Sequence, residues 1–385
     1  MQTNRTESPE LRRSALGASA LAATLALAMH PSGAQELDRG AMIESARERI
    51  AEAGLVVHED LRYAEIEGVE PERLSLDVYT LEGREEAPVV LFVHGGGWQR
   101  GDKKAVLNKP LALVPAGYVV VSTNTRMRPE VTVREMASDV ARAVAWVHRE
   151  IARFGGDGER IVLMGHSAGA HLVSVVGTNR RLLEEQGVST ELLRGVVPLD
   201  TGPYDVALQV ERSRGQYGEL MAAVFGDDPA SWPEVSPRLL IGDGSGLPPF
   251  LVFHHEGRWD VGEQAGPFVE ALRAAGVEAD LVEAKGRSHV SLSTEMGLPD
   301  EGGAGGRVEM MAAHATASAR RWRGGCGCPE GNRREQKGRE GKNNRRARAR
   351  ATDCCFLHQL PTETVHNRDD RDPRPAVGFL SSNAK

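Results

Sequence analysis

Residues 160–169 read RIVLMGHSAG, an apolar run that leads directly into the pattern Gly-x-Ser-x-Gly centred on Ser167. The run predicts a buried strand over 161–164, and the small and apolar residues 170–176 predict a helix. At such a strand-to-helix turn the serine backbone is strained, and the two glycines keep side chains from colliding with the neighbouring strand and helix. The turn presents the hydroxyl at the carboxyl edge of a sheet, so Ser167 is the candidate nucleophile.

Further short apolar runs alternate with segments of helical period, of which residues 133–154 show the clearest spacing. The runs are apolar on both faces, as strands of a parallel sheet covered by helices must be. We therefore predict an α/β fold with a mostly parallel sheet and helices on both faces, preceded by an antiparallel hairpin over 61–81. The runs that predict its strands are 88–93, 117–122, 160–164, 195–199, 249–253 and 279–283.

A second glycine-rich element, His94-Gly95-Gly96-Gly97-Trp98, comes directly after the predicted strand 88–93. A loop without side chains lets backbone N–H groups approach a substrate oxygen closely, which an oxyanion hole requires. Donors from Gly96 or Gly97, together with the N–H of Ala168, would converge on that oxygen. The alternative is a flexible turn, but that would not require the run to end a buried strand and precede the serine motif.

A serine hydroxyl needs a histidine base, and the base needs an acid to orient it. In this arrangement the order along the chain is serine, acid, histidine. His289 follows the last predicted strand in a short loop at the correct edge, so we predict that it is the base. The acid is expected after the penultimate strand, in the loop HHEGRWD; we choose Asp260, with Glu256 in reserve.

The set HGGGW, GHSAGAHL and GRSH resembles the α/β-hydrolase superfamily, in its carboxylesterase branch related to hormone-sensitive lipase, feruloyl-esterase-like proteins and kynurenine formamidase. The resemblance covers residues 55–299 and implies the α/β-hydrolase fold, with Ser167, Asp260 and His289 as triad and Gly96, Gly97 and Ala168 around the oxyanion. The acid loop departs from the family's usual H-G-x-x-D form, because His255 and one extra residue precede Asp260.

Flanking segments are predicted to have other roles than catalysis. Residues 35–319 form the predicted catalytic domain, in which about 203–246 lack a clear period and are predicted to be a small cap. Residues 320–385 hold twice as many basic as acidic residues, and residues 324–352 have too few large apolar residues to form a core. This tail is predicted to be disordered, and a reading-frame error would also produce it. All four cysteines lie in it, at spacings that do not match a zinc site: Cys326, Cys328, Cys354 and Cys355.

The first 34 residues predict an export signal. Arg12 and Arg13 precede the apolar stretch 14–29, and Ser32 and Ala34 provide small residues before cleavage at Gln35. The stretch is too short to span a bilayer core of about 30 Å comfortably, and the arginine pair resembles a twin-arginine signal. An ordinary amphipathic helix is the alternative, although no charge interrupts the stretch. We therefore predict a periplasmic or secreted protein.

Charge and composition exclude several classes of partner. The net charge is −7, and the basic tail leaves the preceding residues more strongly acidic, which disfavours contact with nucleic acid or an anionic membrane. The leading hypothesis is an exported serine hydrolase that cleaves small-molecule carboxylic esters without a metal or organic cofactor. Trp98 and Tyr204 are candidates for lining its pocket, although such aromatic residues equally belong to a core.

Three other functions stay open at this point. Arylformamidase-type amide cleavage would use the same residues with a different leaving group. A catalytically silent binding protein with the hydrolase fold, or a nucleic-acid binder that works through residues 320–350, would not depend on Ser167. The sequence leaves the oligomeric state undetermined.

Overall fold

An eight-stranded sheet forms the centre of the computed structural model, which describes residues 33–296 and 298. Its strand order is β1-β2-β4-β3-β5-β6-β7-β8. β2 is antiparallel to both of its neighbours, β1 and β4, and all later pairings are parallel. The strands are β1 (Val56–Arg62), β2 (Ser75–Thr80), β3 (Ala87–Val93), β4 (Val119–Thr123), β5 (Gly156–His166), β6 (Leu193–Leu199), β7 (Phe250–His255) and β8 (Ala279–Ala284).

Helices connect these strands and cover the sheet. Helix α3, which follows β4, begins with a capping box in which Thr132 and Glu135 bond each other's backbone N–H groups. The helices are α1 (Gly33–Glu52), α2 (Lys109–Leu113), α3 (Val133–Glu150), α4 (Ala168–Thr178), α5 (Arg180–Glu184), α6 (Val206–Arg212), α7 (Gly215–Phe225), α8 (Ala265–Ala274) and α9 (Ser291–Thr294). Among the described residues no helix is long and apolar enough to span a membrane.

The sheet separates two apolar cores, and the strand sequences explain why. Along β3 successive side chains point to opposite faces, so that Val89 and Leu91 join one core while Val90 and Phe92 join the other. All four side chains are at most 2% exposed. A strand with both faces buried must be a continuous apolar run, which is the pattern that predicted a parallel sheet.

The predicted α/β fold is confirmed, including the antiparallel hairpin, which is the β1–β2 pair. The segment over 203–246, which is predicted to be a cap, is more regular than its sequence indicates, because it contains α6, α7 and two short 3-10 turns. The predicted cleavage point after Ala34 falls in the first turn of α1. The rest of the predicted export signal, the tail over 320–385 and its cysteines lie outside the described residues.

Candidate active site

Ser167 occupies the sharp turn between β5 and α4, with φ 55° and ψ −117°. This strained backbone depends on the glycines on either side. A Cβ on Gly169 would lie 2.2 Å from the carbonyl oxygen of Val93, and one on Gly165 would lie 2.4 Å from the carbonyl oxygen of Gly169. The pattern Gly-x-Ser-x-Gly is therefore a packing requirement, because β3, β5 and α4 approach too closely for any side chain at these two positions.

His289 reaches Ser167 from the turn between β8 and α9. Its Nε2 lies 3.1 Å from the Ser167 Oγ. His166, the last residue of β5, donates from its Nε2 to the His289 carbonyl oxygen at 2.7 Å, and the two rings lie 4.8 Å apart. Burial and the neighbouring His289 lower the pKa of His166 to about 3, so it stays a neutral donor at ordinary pH. The structure thus brings together the predicted nucleophile and base.

Asp200 completes the hydrogen-bonded chain from the end of the neighbouring strand β6. Its Oδ2 accepts a hydrogen bond of 2.6 Å from His289 Nδ1. Because Nδ1 carries the proton in that bond, His289 Nε2 is free to accept the proton of the Ser167 hydroxyl. Asp200 is fully buried and has φ 59°, a left-handed conformation in a residue other than glycine. Such strain is typical of functional positions.

The structure corrects the predicted acid. Both oxygens of Asp260 accept hydrogen bonds from the Arg258 guanidinium, at 2.5 and 2.9 Å, and Glu256 accepts one from the backbone N–H of Gly286 at 2.8 Å. The carboxylate bonded to His289 belongs to Asp200. β6 and β7 are parallel neighbours whose carboxyl ends meet at one edge, so an acid after either strand satisfies the order serine, acid, histidine.

Asp200 could have been found from a signal in the sequence that we did not use. It is a charged residue directly after the apolar strand over 195–199. Burying a carboxylate at such a position is costly unless other groups pair with its charge, so an acid there indicates such partners. Burial alone would raise the pKa of this carboxyl. The Arg258 charge and hydrogen bonds from His255 and His289 outweigh burial and hold the pKa of Asp200 well below its usual range.

The glycine loop after β3 lies directly against the nucleophile. A Cβ on Gly95 would lie 3.1 Å from the Ser167 Cβ, which leaves no room for a larger residue. Gly96 and Gly97 have φ of 141° and 63°, and the Gly96 carbonyl accepts the N–H groups of the turn that follows. Ala168 is the first residue of α4, so its N–H has no partner within the helix. The role of Gly96, Gly97 and Ala168 as oxyanion donors stays a prediction that this placement favours.

Trp98 and Tyr204, the predicted pocket residues, are both buried. Tyr204 is fully buried and stacks on Phe268, with ring centroids 4.4 Å apart. Trp98 donates from Nε1 to His171 Nδ1 at 3.3 Å and packs against Phe225 from the cap. Their burial favours the alternative, that they belong to the core.

Asp200, His255 and His289 form the one group of three potential metal ligands among the described residues, with ligand atoms within 4.8 Å of one another. The histidine Nδ1 atoms already share the Asp200 Oδ2, each at 2.6 Å. The guanidinium of Arg258 lies 3.0 Å from the other oxygen. A cation would have to displace these donors next to a positive charge, so the arrangement fits an acid that holds imidazoles rather than a metal centre.

Comparisons with known proteins show that this chain is similar to esterases. The BD-FAE family model matches residues 76–261, which include Ser167 and Asp200 and end before His289. A probable isoprenylcysteine alpha-carbonyl methylesterase of Arabidopsis thaliana is 32% identical over 236 residues, covering 57% of this chain and 55% of that protein. Esterase LipQ of Mycobacterium tuberculosis is 32% identical over 198 residues, covering 49% and 47%. The chain thus spans about half the length of these relatives.

The fold is also found in solved structures of esterases. The crystal structure of esterase B from Lactobacillus rhamnosus strain HN001 superposes with a TM-score of 0.58 at 19% identity, covering 75% of this chain and 98% of that one. Thermogutta terrifontis esterase 2 gives a TM-score of 0.52 at 24% identity, covering 69% and 95%. At such identities the likeness establishes the architecture, and the chemistry has to be argued from the site.

Proposed function

We propose that this chain is a serine hydrolase of the carboxylesterase branch of the α/β-hydrolase superfamily, and that it cleaves carboxylic esters; the similarity to esterases supports this. The observation that carries the proposal is the continuous hydrogen-bonded chain from Ser167 through His289 to the buried Asp200. Nucleophilic catalysis needs a hydroxyl, a base within bonding distance and a group that fixes the base, and these residues supply all three.

In the first half of the reaction, His289 Nε2 takes the proton of Ser167 as its Oγ attacks the ester carbonyl. The negative oxygen that develops would be held by N–H groups of the glycine loop and of Ala168. Asp200 stabilises the imidazolium that forms, because its buried negative charge already accepts the Nδ1 proton. His289 then protonates the departing alcohol, which leaves Ser167 acylated.

In the second half, water enters and the same base activates it. The water attacks the acyl carbonyl, the oxyanion site is used again, and Ser167 leaves as His289 returns the proton. These steps need groups that the chain itself provides and no cofactor. The names of the relatives support an ester as the bond that is cleaved, since they are described as a methylesterase and an esterase.

Labelling with a fluorophosphonate probe, combined with turnover of short p-nitrophenyl esters, tests the proposal. The wild-type chain is expected to be labelled on Ser167 and to hydrolyse the esters, and Ser167→Ala is expected to lose both properties. Turnover of N-formylkynurenine without ester hydrolysis would replace the proposal with the amide reaction. A wild-type chain that is neither labelled nor active would favour the silent binding protein.

We further propose that the chain is exported, on the basis of the signal pattern over residues 12–34. Fractionation of a bacterial host that expresses the full chain should show ester hydrolysis outside the cytoplasm. Changing Arg12 and Arg13 together to lysine should retain the activity inside the cell if the pair acts as a twin-arginine signal. If the wild-type chain and the lysine variant are both exported to the same extent, the twin-arginine assignment is wrong. If the activity of both is confined to the cytoplasm, the chain is not exported.

A further inference from the structure

Asp200 receives more hydrogen bonds than a triad acid needs in order to orient one histidine. His289 provides one of them, to Oδ2. The end of β7 and the turn after it provide three others: His255 Nδ1 to Oδ2 at 2.6 Å, His255 N to Oδ1 at 3.1 Å, and Arg258 Nη1 to Oδ1 at 3.0 Å. The Oδ2 atom therefore accepts from two imidazoles at the same distance.

We propose that His255 is a positioning residue that fixes the Asp200 carboxylate. Because His255 and His289 share the Oδ2 of Asp200, His255 sets both the orientation and the basicity of the base, His289. The inference rests on the proposed function, because it concerns the same triad. His255 acts through Asp200, and its ring also lies edge-on to that of His289, with the centroids 6.2 Å apart.

The geometry explains why Asp200 needs such support. The residue follows β6 with a strained backbone, and its side chain must cross to the edge where β7 and β8 end. His255 grips the carboxylate with its backbone N–H and its ring at once, which fixes the rotation of the carboxylate plane. Without the His255 ring, Asp200 Oδ2 could still accept the hydrogen bond from His289, but the carboxylate would be free to rotate out of that bond. A small misplacement of this kind reduces the rate of a positioned reaction strongly.

The shared oxygen also predicts a direction for the basicity of His289. Each donor on Oδ2 reduces the negative charge available to the other donor. Removing the His255 donor leaves that charge to His289 alone, which favours the protonated imidazole. The acid limb of kcat/KM should then move to higher pH, because the base must lose its proton before it can act. Arg258 donates to Asp200 Oδ1 and is itself bonded by Asp260, while His166 donates to the His289 carbonyl oxygen. Along the chain, His254 and Glu256 flank His255, and Arg287 lies two residues before His289.

Two substitutions of His255 distinguish the effect of its Nδ1 donor from the effect of its ring. His255→Phe keeps a ring of similar shape and removes the Nδ1 donor, whereas His255→Asn removes the ring and keeps a side-chain N–H near the Nδ1 position. The Phe variant is expected to lose about 10- to 100-fold in kcat with KM little changed, and its acid limb should move upward. The Asn variant is expected to stay within a few-fold of wild type, with its acid limb unmoved.

His254→Phe is the matched control, since it changes the preceding histidine of the same strand, whose Nδ1 pairs with the His255 carbonyl. Melting curves of all variants identify any loss of fold. A His255→Phe chain that is folded and has the kcat and pH profile of wild type would overturn the inference. So would a His255→Asn chain as impaired as His255→Phe. Fluorophosphonate labelling of wild-type Ser167 is measured first, so that failure of the proposed hydrolase function is recognised separately.

Discussion

At the scale of single residues, the site depends on two backbones in left-handed conformations that carry functional side chains. Ser167 and Asp200 have φ of 55° and 59°, and each directly follows a buried parallel strand. The extended strand holds the backbone in place, and the abrupt change of direction turns the side chain toward the sheet edge. The strain at Ser167 was predictable from Gly-x-Ser-x-Gly, whereas no such motif surrounds Asp200.

Separate substitution of the two candidate acids, Asp200 and Asp260, tests which of them belongs to the triad. Asp200→Asn should lower kcat by roughly 10⁴-fold, because an amide at this position can donate to His289 Nδ1 and favours the wrong tautomer. Asp260→Asn should cost much less, since Asp260 holds Arg258 rather than His289. Steady-state ester hydrolysis by both variants measures this difference. A larger loss in Asp260→Asn would restore the assignment made from the sequence.

Glycine at position 169 should be required by packing rather than by flexibility. In Gly169→Ala the new methyl would meet the backbone carbonyl oxygens of Val93 and His94 at 2.2 and 2.5 Å, so α4 would have to move away from β3. We expect a lower melting temperature and a loss of activity. Gly262→Ala is the matched control, because its Cβ meets nothing within 4 Å and its backbone φ is not positive. Equal behaviour of the two variants in thermal unfolding and turnover would contradict this explanation.

At the scale of elements, the sequence specified the strands better than the connections between them. Runs such as 88–93 are apolar on both faces, a pattern that a strand buried on both sides of a parallel sheet produces. The segment over 203–246 gave no comparable signal, because α6 and α7 bury only two and three side chains, too few to form a clear periodic stripe. The acid was misplaced for a related reason. Strand order along the chain does not say which of two neighbouring strand ends carries the side chain that reaches His289.

The short helix α9, which follows His289, is anchored by hydrogen bonds from a buried lysine. Lys109 in α2 is fully buried, and its Nζ donates to the backbone oxygen and the hydroxyl of Ser293, at 2.9 and 3.1 Å. It also lies 4.4 Å from the centre of the Phe92 ring. Burial lowers the pKa of Lys109 to about 7. The amine thus serves as a hydrogen-bond donor that need not be charged to hold the segment after the base.

This lysine predicts a dependence of stability on pH. Between pH 7 and pH 9 the unfolded chain keeps the Lys109 proton and the folded chain does not, so the free energy of unfolding rises with pH. Relative to Lys109→Met, the wild-type chain should gain about 2 kcal/mol of stability over this interval. Urea unfolding of both chains at pH 7 and pH 9 measures the difference, in which all other titrating groups cancel. A difference that is constant, or that falls with pH, would contradict it.

At the scale of the whole molecule, two neutral histidines join the nucleophile to the rest of the structure. His166 binds the backbone of His289, while His171 in α4 accepts from Trp98 and donates from Nε2 to the Val235 carbonyl of the cap at 2.8 Å. The base, the glycine loop and the cap are thereby connected through residues on either side of Ser167. The stability of the fold and the geometry of the site therefore depend on the same buried imidazoles.

These imidazoles predict that acid destabilises the whole fold. Burial lowers the pKa of His171 to about 4, against an ordinary value near 6.5. As the pH falls from 7 to 5, the unfolded chain takes up a proton on this ring and the folded chain does not, so the folded state loses about 2 kcal/mol of stability through this residue. His171→Phe cannot titrate and should lose correspondingly less. Urea unfolding at pH 7 and pH 5 should therefore show that the advantage of wild type over His171→Phe shrinks at the lower pH. An advantage that stays constant would contradict the lowered pKa of His171, and one that grows would mean that the folded chain holds this ring protonated.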